Sequence, residues 1–325
     1  MAENTPGAAQ AANEKLVVMP SPHVRDTITT QKIMATVALA LVPSVIAAVY
    51  YFGIRAFWLT LVCVFSCMLF ELLFSMVTKR ESTIQDCSAV VTGMILACNL
   101  PSTFPAWMAI VGSFFAIIVV KCLFGGLGCN FANPAATARV FLLVSFASHM
   151  TAWVAPRGVD AMATATPLRL MSEGNWEAMP SITQMFLGQR GGSMGETCAL
   201  AILIGGLFLL WKGIIRWEIP VSVLASVFVF ALLFGQNPVY SILSGGVMIA
   251  AFFMATDYST SPVTNSGKLV YGVGIGFFTM LIRVFCNYPE GMSFAIVLMN
   301  VITPHIDRLM MTKPFGAVFE QAKKS

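Results

Sequence analysis

The chain has 325 residues, of which 57% are hydrophobic and only 10% are charged, and its mean hydropathy is +0.80. Soluble domains carry roughly 25% charged residues, so this composition excludes an ordinary soluble protein and indicates a polytopic membrane protein. The formal net charge of +4 is small and gives no reason to expect a nucleic-acid partner.

Apolar runs organise the chain. Residues 1–32 are polar and lack the apolar core of a signal peptide, so they predict a tail. Ten apolar runs follow, near 33–52, 57–77, 87–100, 106–123, 137–155, 197–212, 219–236, 239–256, 269–286 and 292–310. A helical crossing needs about 20 residues, so the short runs 87–100 and 239–256 predict half-spans or broken helices. The predicted fold class is all-α, with about ten transmembrane helices.

The two halves of the chain repeat each other in sequence. The Cys-Asn-aromatic string at 129–131 recurs at 286–288, and Ala97–Asn99 parallels Ala255–Asp257 at almost the same offset. Five spans separate the copies, so the halves cross the bilayer in opposite directions. We therefore expect an inverted five-helix repeat, 33–155 and 197–311, with a site near the membrane midplane at broken helices.

Lysine and arginine positions predict the orientation. With the N-terminus inside and ten crossings, thirteen of these residues lie on the inner side. The outer side then holds only Arg55, Arg157, Arg169, Arg190 and Arg283. Positive residues favour the cytoplasmic side, so both tails, 1–32 and 312–325, are predicted to be cytoplasmic. The polar loop 156–196 is then extracytoplasmic.

That outer loop contains a conspicuous stretch, Asp160–Leu168. It offers threonine hydroxyls at Thr164 and Thr166, and Pro167 ends any preceding helix. A solvated connector is one interpretation of such a loop. The other is an acceptor site, because the stretch resembles the Asp-x-x-Ser-Gly-Ala-Thr motif at which flavin transferases attach FMN to a threonine.

The match to that acceptor motif is partial. Asp160 and the pair Ala165-Thr166 stand at the matching spacing, and Pro167 and Leu168 continue it. Ala163 and Thr164 replace the Ser and Gly of the motif. Thr164 competes as the attachment residue, but the spacing from Asp160 favours Thr166.

A glycine-rich turn at 125–135 is the second candidate site. Its glycines let the backbone approach a ligand closely, and Asn130 and Asn133 supply amide groups suited to a flat heterocycle. Arg139 follows and adds a permanent positive charge. The alternative is a tight packing turn that leads into the fifth span.

Polar residues inside apolar runs suggest a third site, an ion or proton pathway. Glu71 lies in the second span, where a carboxylate costs on the order of 2.5–3.5 kcal/mol to insert. Asp257 ends the eighth span, and Asn99 is its neutral counterpart in the first repeat. Structural hydrogen bonding or helix capping is the alternative for each. Glu196 and Glu218 lie at span boundaries and are expected to be solvated.

The eight cysteines do not predict a metal centre. Most of them lie inside apolar runs, where a thiol behaves as a small hydrophobic group, and no CxxC pair is present. The chain also lacks a dinucleotide-binding fingerprint.

These motifs together resemble a known family over residues 21–316. The anchors are Ser21–Met34, Thr83–Gly93, Asn130–Arg139, Asp160–Leu168 and Met254–Thr264. They resemble RnfD, a membrane component of the Rnf ion-translocating ferredoxin:NAD oxidoreductase. The glycine-rich turn is also similar to that of NqrB, the related component of the sodium-pumping NADH:quinone reductase.

The resemblance implies a membrane electron-transfer subunit with FMN bound covalently to Thr166. It also implies a second, riboflavin-type flavin near Asn130, Asn133 and Arg139. Electrons from reduced ferredoxin would pass through flavin- and iron–sulfur-bearing partner subunits to NAD, coupled to Na⁺ or H⁺ movement. A flavin transferase would mature the chain, the location would be the cell inner membrane, and the fold would be urea-channel-like.

Two other functions remain open on the sequence. A solute channel or secondary transporter with the same inverted repeat has the same composition and spans. A structural membrane subunit without a cofactor is the third possibility. The acceptor motif in the outer loop is the feature that separates these alternatives from a redox subunit.

Overall fold

The computed structural model describes residues 28–80, 83–154, 156, 166–173, 175, 177–286 and 290–311. Over these residues the protein is helical and has no β-strand, which confirms the all-α prediction for this part of the chain. Three helices are long and apolar enough to cross a membrane, and five shorter apolar helices accompany them. The molecule is a membrane protein.

In the first half, the described residues form six helices and a short 3₁₀ turn, Ile84–Asp86. They are α1 (Thr30–Phe52), α2 (Ile54–Thr78), α3 (Ser88–Cys98), α4 (Ala106–Phe114), α5 (Pro134–Ser145) and α6 (Ala147–Met150). Helix α4 continues as a π-helix, Phe115–Cys122. A single residue, Gly53, joins α1 to α2 with φ 78°, a conformation that favours glycine.

In the second half, the described residues begin with two short helices of the loop 156–196 and end with two long helices. The helices are α7 (Pro167–Ser172), α8 (Ile182–Leu187), α9 (Ala199–Trp211), α10 (Glu218–Leu233), α11 (Pro238–Leu243), α12 (Val247–Ile249), α13 (Asn265–Phe285) and α14 (Met292–Met310). Helix α12 continues as a π-helix, Ala250–Met254.

Both short apolar runs behave as predicted, and one longer run does not. Helix α3 has only 11 residues, and the run 239–256 is broken between α11 and α12, where Gly245 and Gly246 have φ of 66° and 70°. The predicted span 137–155 is wrong in its extent. Helix α5 starts earlier and stops at Ser145, because Phe146 leaves the helical conformation with φ −132° and ψ 47°.

Small residues allow the helices to approach closely. Gly272 and Gly276 of α13 face Ser222 and Ser226 of α10, and a Cβ at either glycine would lie within 2 Å of the facing serine Oγ. The Ser226 hydroxyl also donates to the Gly272 carbonyl at 3.2 Å. Small residues and hydroxyls at contacts of this kind drive helix association in lipid, where apolar area alone does not.

Candidate functional site

A cavity that is partly open to solvent lies where the glycine-rich turn meets both half-spans. Helices α1, α3, α5 and α9, both π-helices and the turn after Met254 all contribute to its wall. Most of the lining is apolar, including Ile33, Val37, Ile95, Leu209, Phe252 and Phe253. A mostly apolar cavity with a few placed polar groups is typical of a small-molecule site.

One polar edge of this cavity is built around Asp257. Its Oδ2 accepts from Asn130 Nδ2 at 3.4 Å and from Thr260 Oγ1 at 3.2 Å. Ser259 Oγ lies 3.1 Å from the same oxygen and 3.0 Å from Asn130 Oδ1, so it can donate to either. The structure therefore brings Asn130 and Asp257 together, although 127 residues separate them in the chain.

Asn133 fixes the cavity wall to the second half of the chain. Its Oδ1 caps α5 by accepting from Ala136 N at 3.1 Å, and its Nδ2 donates to the Met254 carbonyl at 3.0 Å. Pro134 occupies the first helical position, where no amide hydrogen is needed. The Asn-Pro pair of the sequence is thus a helix start that also ties α5 to the second π-helix.

A buried ion pair lies at another part of the wall. Lys121 Nζ lies 2.8 Å from Glu71 Oε1 and 2.8 Å from Ser88 Oγ, and Lys121 and Ser88 both line the cavity. The Thr83 hydroxyl also donates to Glu71 Oε1, at 2.5 Å. Sequence reasoning singled out Glu71 but missed its partner. A lysine near the end of an apolar run was the available signal.

Arg139 does not join Asn130 and Asn133 at the cavity. Its Nη1 donates to Asn99 Oδ1 at 2.7 Å, its Nη2 forms an ion pair with Glu290, and its side chain is only 2% exposed. Asn99 in turn donates to the Ile95 carbonyl at 2.7 Å. Among the described residues, neither Arg139 nor Asn99 lines the cavity.

A second cluster of charged residues makes hydrogen bonds to the backbone at the break between α11 and α12. Glu196 accepts from Gly245 N at 2.8 Å and from Ser193 Oγ at 2.7 Å. Arg283 donates to the carbonyls of Ser241 and Ser244 at 2.7 and 3.0 Å. Glu196, expected to be solvated, is instead 7% exposed, because the broken helix leaves a buried amide that needs an acceptor.

Glu218, the other acid expected to be solvated, is also buried. Its side chain is 6% exposed, and it lies at the first residue of α10 with Arg216 at 3.9 Å. A carboxylate in the first turn of a helix interacts favourably with the helix dipole. The expectation of solvated acids at the span boundaries is therefore wrong for both residues.

Thr166 lies at the start of α7, in the loop 156–196. Its Oγ1 accepts from Arg169 N at 3.3 Å as a helix cap, and Pro167 takes the first helical position. Leu168 is buried and packs beside Gly245 at the helix break. Asp160 and Ala165, the other predicted motif residues, lie outside the described residues.

The exposed face of α7 carries a surface ion pair. Arg169 Nε donates to Glu173 Oε1 at 2.8 Å, and this hydrogen bond raises the pKa of Arg169 above its ordinary value. The buried face lines a small crevice together with α11 and α13, formed by Leu168, Met171, Gln236, Ser241, Met280, Arg283 and Val284. The threonine of the acceptor motif is thus anchored next to the second charge cluster.

Comparison with known proteins gives a consistent family. The model of the NQR2, RnfD, RnfE family matches residues 17–316. The chain is 48% identical to the RnfD-type subunit of the Na(+)-translocating ferredoxin:NAD(+) oxidoreductase complex of Acetobacterium woodii, over 93% of this chain and 95% of the relative.

Two further relatives give the same result. The corresponding subunit of the proton-translocating ferredoxin:NAD(+) oxidoreductase complex of Clostridium ljungdahlii is 38% identical over 95% of this chain and 98% of its own length. That of the ion-translocating oxidoreductase complex of Mannheimia succiniciproducens is 36% identical over 91% of this chain and 96% of its own length. The chain therefore belongs to the NQR2, RnfD, RnfE family.

Proposed function

We propose that this chain is the RnfD-type membrane electron-transfer subunit of an ion-translocating ferredoxin:NAD⁺ oxidoreductase complex. The observation that carries the proposal is the largely apolar cavity with placed polar groups at Asn130 and Asp257, in a chain whose relatives are named as subunits of such complexes. The chain works with other subunits of that complex, in the cell inner membrane.

The first flavin of this proposal is FMN, joined through its phosphate to Thr166. The position of Thr166 supports it, because Thr166 caps the short helix α7 and is only partly buried. Leu168 holds α7 against the helix break. A phosphoester tether keeps a flavin at one position without using binding affinity, which suits an electron relay.

The second flavin is a riboflavin-type molecule in the inner cavity. The apolar walls of the cavity suit a flat ring system, and a few placed polar groups on such walls are typical of a small-molecule site. Asn130, Ser259 and Asp257 suit the hydroxyls of a ribityl chain, whereas the Asp257 carboxylate would repel a phosphate. When bound, a flavin supplies one-electron redox chemistry that no side chain of this protein provides.

The proposal also includes a more detailed fold, an inverted repeat with ten membrane crossings that is similar to urea channels. Three successive elements of the first half each begin at nearly the same distance along the chain before an element of the second half, which supports the repeat. The paired starting residues are Ser88 and Val247, Ala106 and Asn265, and Pro134 and Met292. The predicted boundaries, 33–155 and 197–311, follow this symmetry. Both tails are then cytoplasmic and the loop 156–196 is extracytoplasmic, which brings Thr166 to the side of an exported transferase.

Electron flow through this subunit is coupled to Na⁺ or H⁺ movement in the proposed function. Glu71, Asp257 and Asn99 remain the candidate residues for the ion pathway. Glu71 Oε2 has no hydrogen-bond partner among the described residues, which supports a role beyond that of a saturated structural group. Neutralising Glu71 or Asp257 should then impair ion transport while the covalent flavin remains.

The deciding experiment is the intact mass of the purified chain, expressed with and without a flavin transferase. A transferase-dependent gain of one FMN phosphoester, mapped to the peptide that holds Thr166, is the expected result. An unchanged mass under both conditions would contradict the covalent flavin and favour a solute channel or transporter of the same fold.

A further inference from the structure

Lys121 lines the inner cavity and forms a buried ion pair with Glu71, and the proposed function so far gives no role to Lys121 or to the pair. Lys121 is 3% exposed and Glu71 is 2% exposed. Removing two charges from water costs several kcal/mol per ion, which their attraction offsets only when the geometry is favourable. Here the pair adjoins a cavity, so its charges also act on whatever binds there.

The backbone gives Lys121 its unusual position. It lies in the π-helix Phe115–Cys122, and its own carbonyl accepts from Gly126 N at 3.0 Å. Single π-helical turns occur frequently at functional sites, because the extra residue per turn redirects side chains. The shift places the Lys121 ammonium against Ser88, at the start of the half-span α3.

The hydrogen bonds of the Lys121 ammonium group explain how it can act on a ligand in the cavity. An ammonium group has three N–H donors, and Glu71 Oε1 and Ser88 Oγ accept two of them. No third acceptor is present within the described part of the chain, and Lys121 lines the cavity, so a ligand bound there can supply it. Glu71 and Ser88 thus hold a cationic donor at a fixed place on an otherwise largely apolar wall.

We propose that the Glu71–Lys121 pair sets the reduction potential of a flavin bound in the inner cavity. Lys121 donates to the electron-rich edge of the ring and stabilises its reduced form. Glu71 positions the ammonium and partly cancels its charge. The inference rests on the proposed second flavin. One electron comes from a one-electron carrier of a partner subunit, and both side chains keep their protonation states.

The two members of the pair therefore have opposite effects on the potential. Lys121→Met removes the cation and leaves the negative Glu71 beside the cavity, so the flavin becomes harder to reduce. Glu71→Gln keeps the shape of the side chain but leaves the Lys121 charge unopposed, so the flavin becomes easier to reduce. A purely structural role predicts no such opposition of sign.

The test is a spectroelectrochemical titration of the purified full complex, in which the non-covalent flavin of this subunit is identified as the signal that Asn133→Ala removes. The flavin content is measured in the same samples. Lys121→Met should lower the midpoint potential, Glu71→Gln should raise it, and the double variant should fall between them. Lys121→Arg should stay close to the native protein. Lys212→Met is the matched control, because Lys212 is exposed and stacks over Trp211 outside the cavity.

The outcomes separate the two proposals. Retained flavin with unchanged potentials, or shifts of the same sign in Lys121→Met and Glu71→Gln, would overturn the role of the pair and leave the second flavin intact. Absence of non-covalent flavin from the native complex would instead contradict the proposed function itself. If Lys121→Met fails to assemble, Glu71→Gln alone still decides, because only the proposed role predicts a raised potential.

Discussion

The two candidate flavin sites differ in how the chain builds them. The outer site is a stretch of nine consecutive residues that ends at Thr166–Leu168, and only its last three residues lie in the described part. The inner cavity takes its wall from helices of both halves, and its central hydrogen bond joins Asn130 to Asp257 across 127 residues. A covalent site that another enzyme recognises can be local. A non-covalent site must be shaped by the fold.

The charges around the two sites differ as well. Beside the inner cavity, one lysine faces one glutamate. Near the helix break that supports α7, the described residues include Arg139, Arg190 and Arg283 but only Glu196 and Glu290. Several guanidinium nitrogens there have no hydrogen-bond partner within the described part of the chain. The region around the helix break therefore has an excess of buried positive charge, whereas the inner cavity has the balanced Glu71–Lys121 pair and the additional carboxylate of Asp257.

The largest expected effect separates the two sites completely. Thr166→Ala should abolish covalent flavin, because no other hydroxyl has the favoured spacing from Asp160, and it should leave non-covalent flavin in place. In-gel fluorescence after denaturation measures the first quantity, and extraction of the native protein measures the second. Thr164→Ala is the control and should retain the fluorescent band. Persistence of the band in Thr166→Ala would move the attachment to Thr164 or elsewhere.

A large loss of stability is expected at Arg139. Its guanidinium bonds Asn99 and pairs with Glu290, so Arg139→Met leaves two buried polar partners unsatisfied. Removing one member of a buried pair costs about 3–5 kcal/mol, and thermal unfolding in detergent should report the change. Arg139→Met should lower the melting temperature far more than a change on the exposed face of α7, such as Glu173→Gln. Equal melting temperatures would show that the network does not stabilise the fold.

Asn133 tests whether the inner site depends on the fold around it. Asn133→Ala removes the cap of α5 and the bond to the Met254 carbonyl, at a cost of about 1–2 kcal/mol for the cap alone. Non-covalent flavin should fall while covalent flavin remains. Asn237→Ala is a matched control, because Asn237 caps α11 in the same Asn-Pro pattern and does not line the cavity.

Asn133→Ala should lose more stability than Asn237→Ala, because it also loses the bond to the Met254 carbonyl, and only Asn133→Ala should lose flavin. Flavin loss in both variants would mean that general destabilisation empties the cavity. Flavin retention in Asn133→Ala would remove Asn133 from the site.

Hydropathy was enough to predict most of the helices, because a span must be apolar along its whole length. The short run 239–256 correctly indicated a break, and Gly245 and Gly246 lie at it. Pairings across the fold were not predictable. Arg139 meets Glu290 across 151 residues, and Lys121 meets Glu71 across 50, so no local pattern contains either pair.

The burial of the acids at the span boundaries was not predictable either, because it also depends on partners that are distant in sequence. Glu196 was expected to be solvated because a boundary is usually wet, but its partner, the Gly245 amide, comes from a helix break 49 residues later. Which polar residue near a boundary is buried depends on where the other half of the fold leaves an unpaired donor.

The smallest expected effect concerns which flavin the inner cavity selects. Asp257→Asn keeps an oxygen that can accept from Ser259 and Thr260, but it removes the negative charge that repels a phosphate. The non-covalent flavin extracted from this variant should contain a larger fraction of FMN relative to riboflavin, as measured by chromatography. Asp307→Asn removes the same charge outside the cavity, where Asp307 accepts from Val263 N at 3.0 Å, and should leave the ratio unchanged. An unchanged ratio in Asp257→Asn would show that Asp257 does not face the ribityl end of the ligand. The two sites would then differ only in whether the flavin is bound covalently. Another residue of the cavity wall would have to exclude the phosphate from the inner cavity.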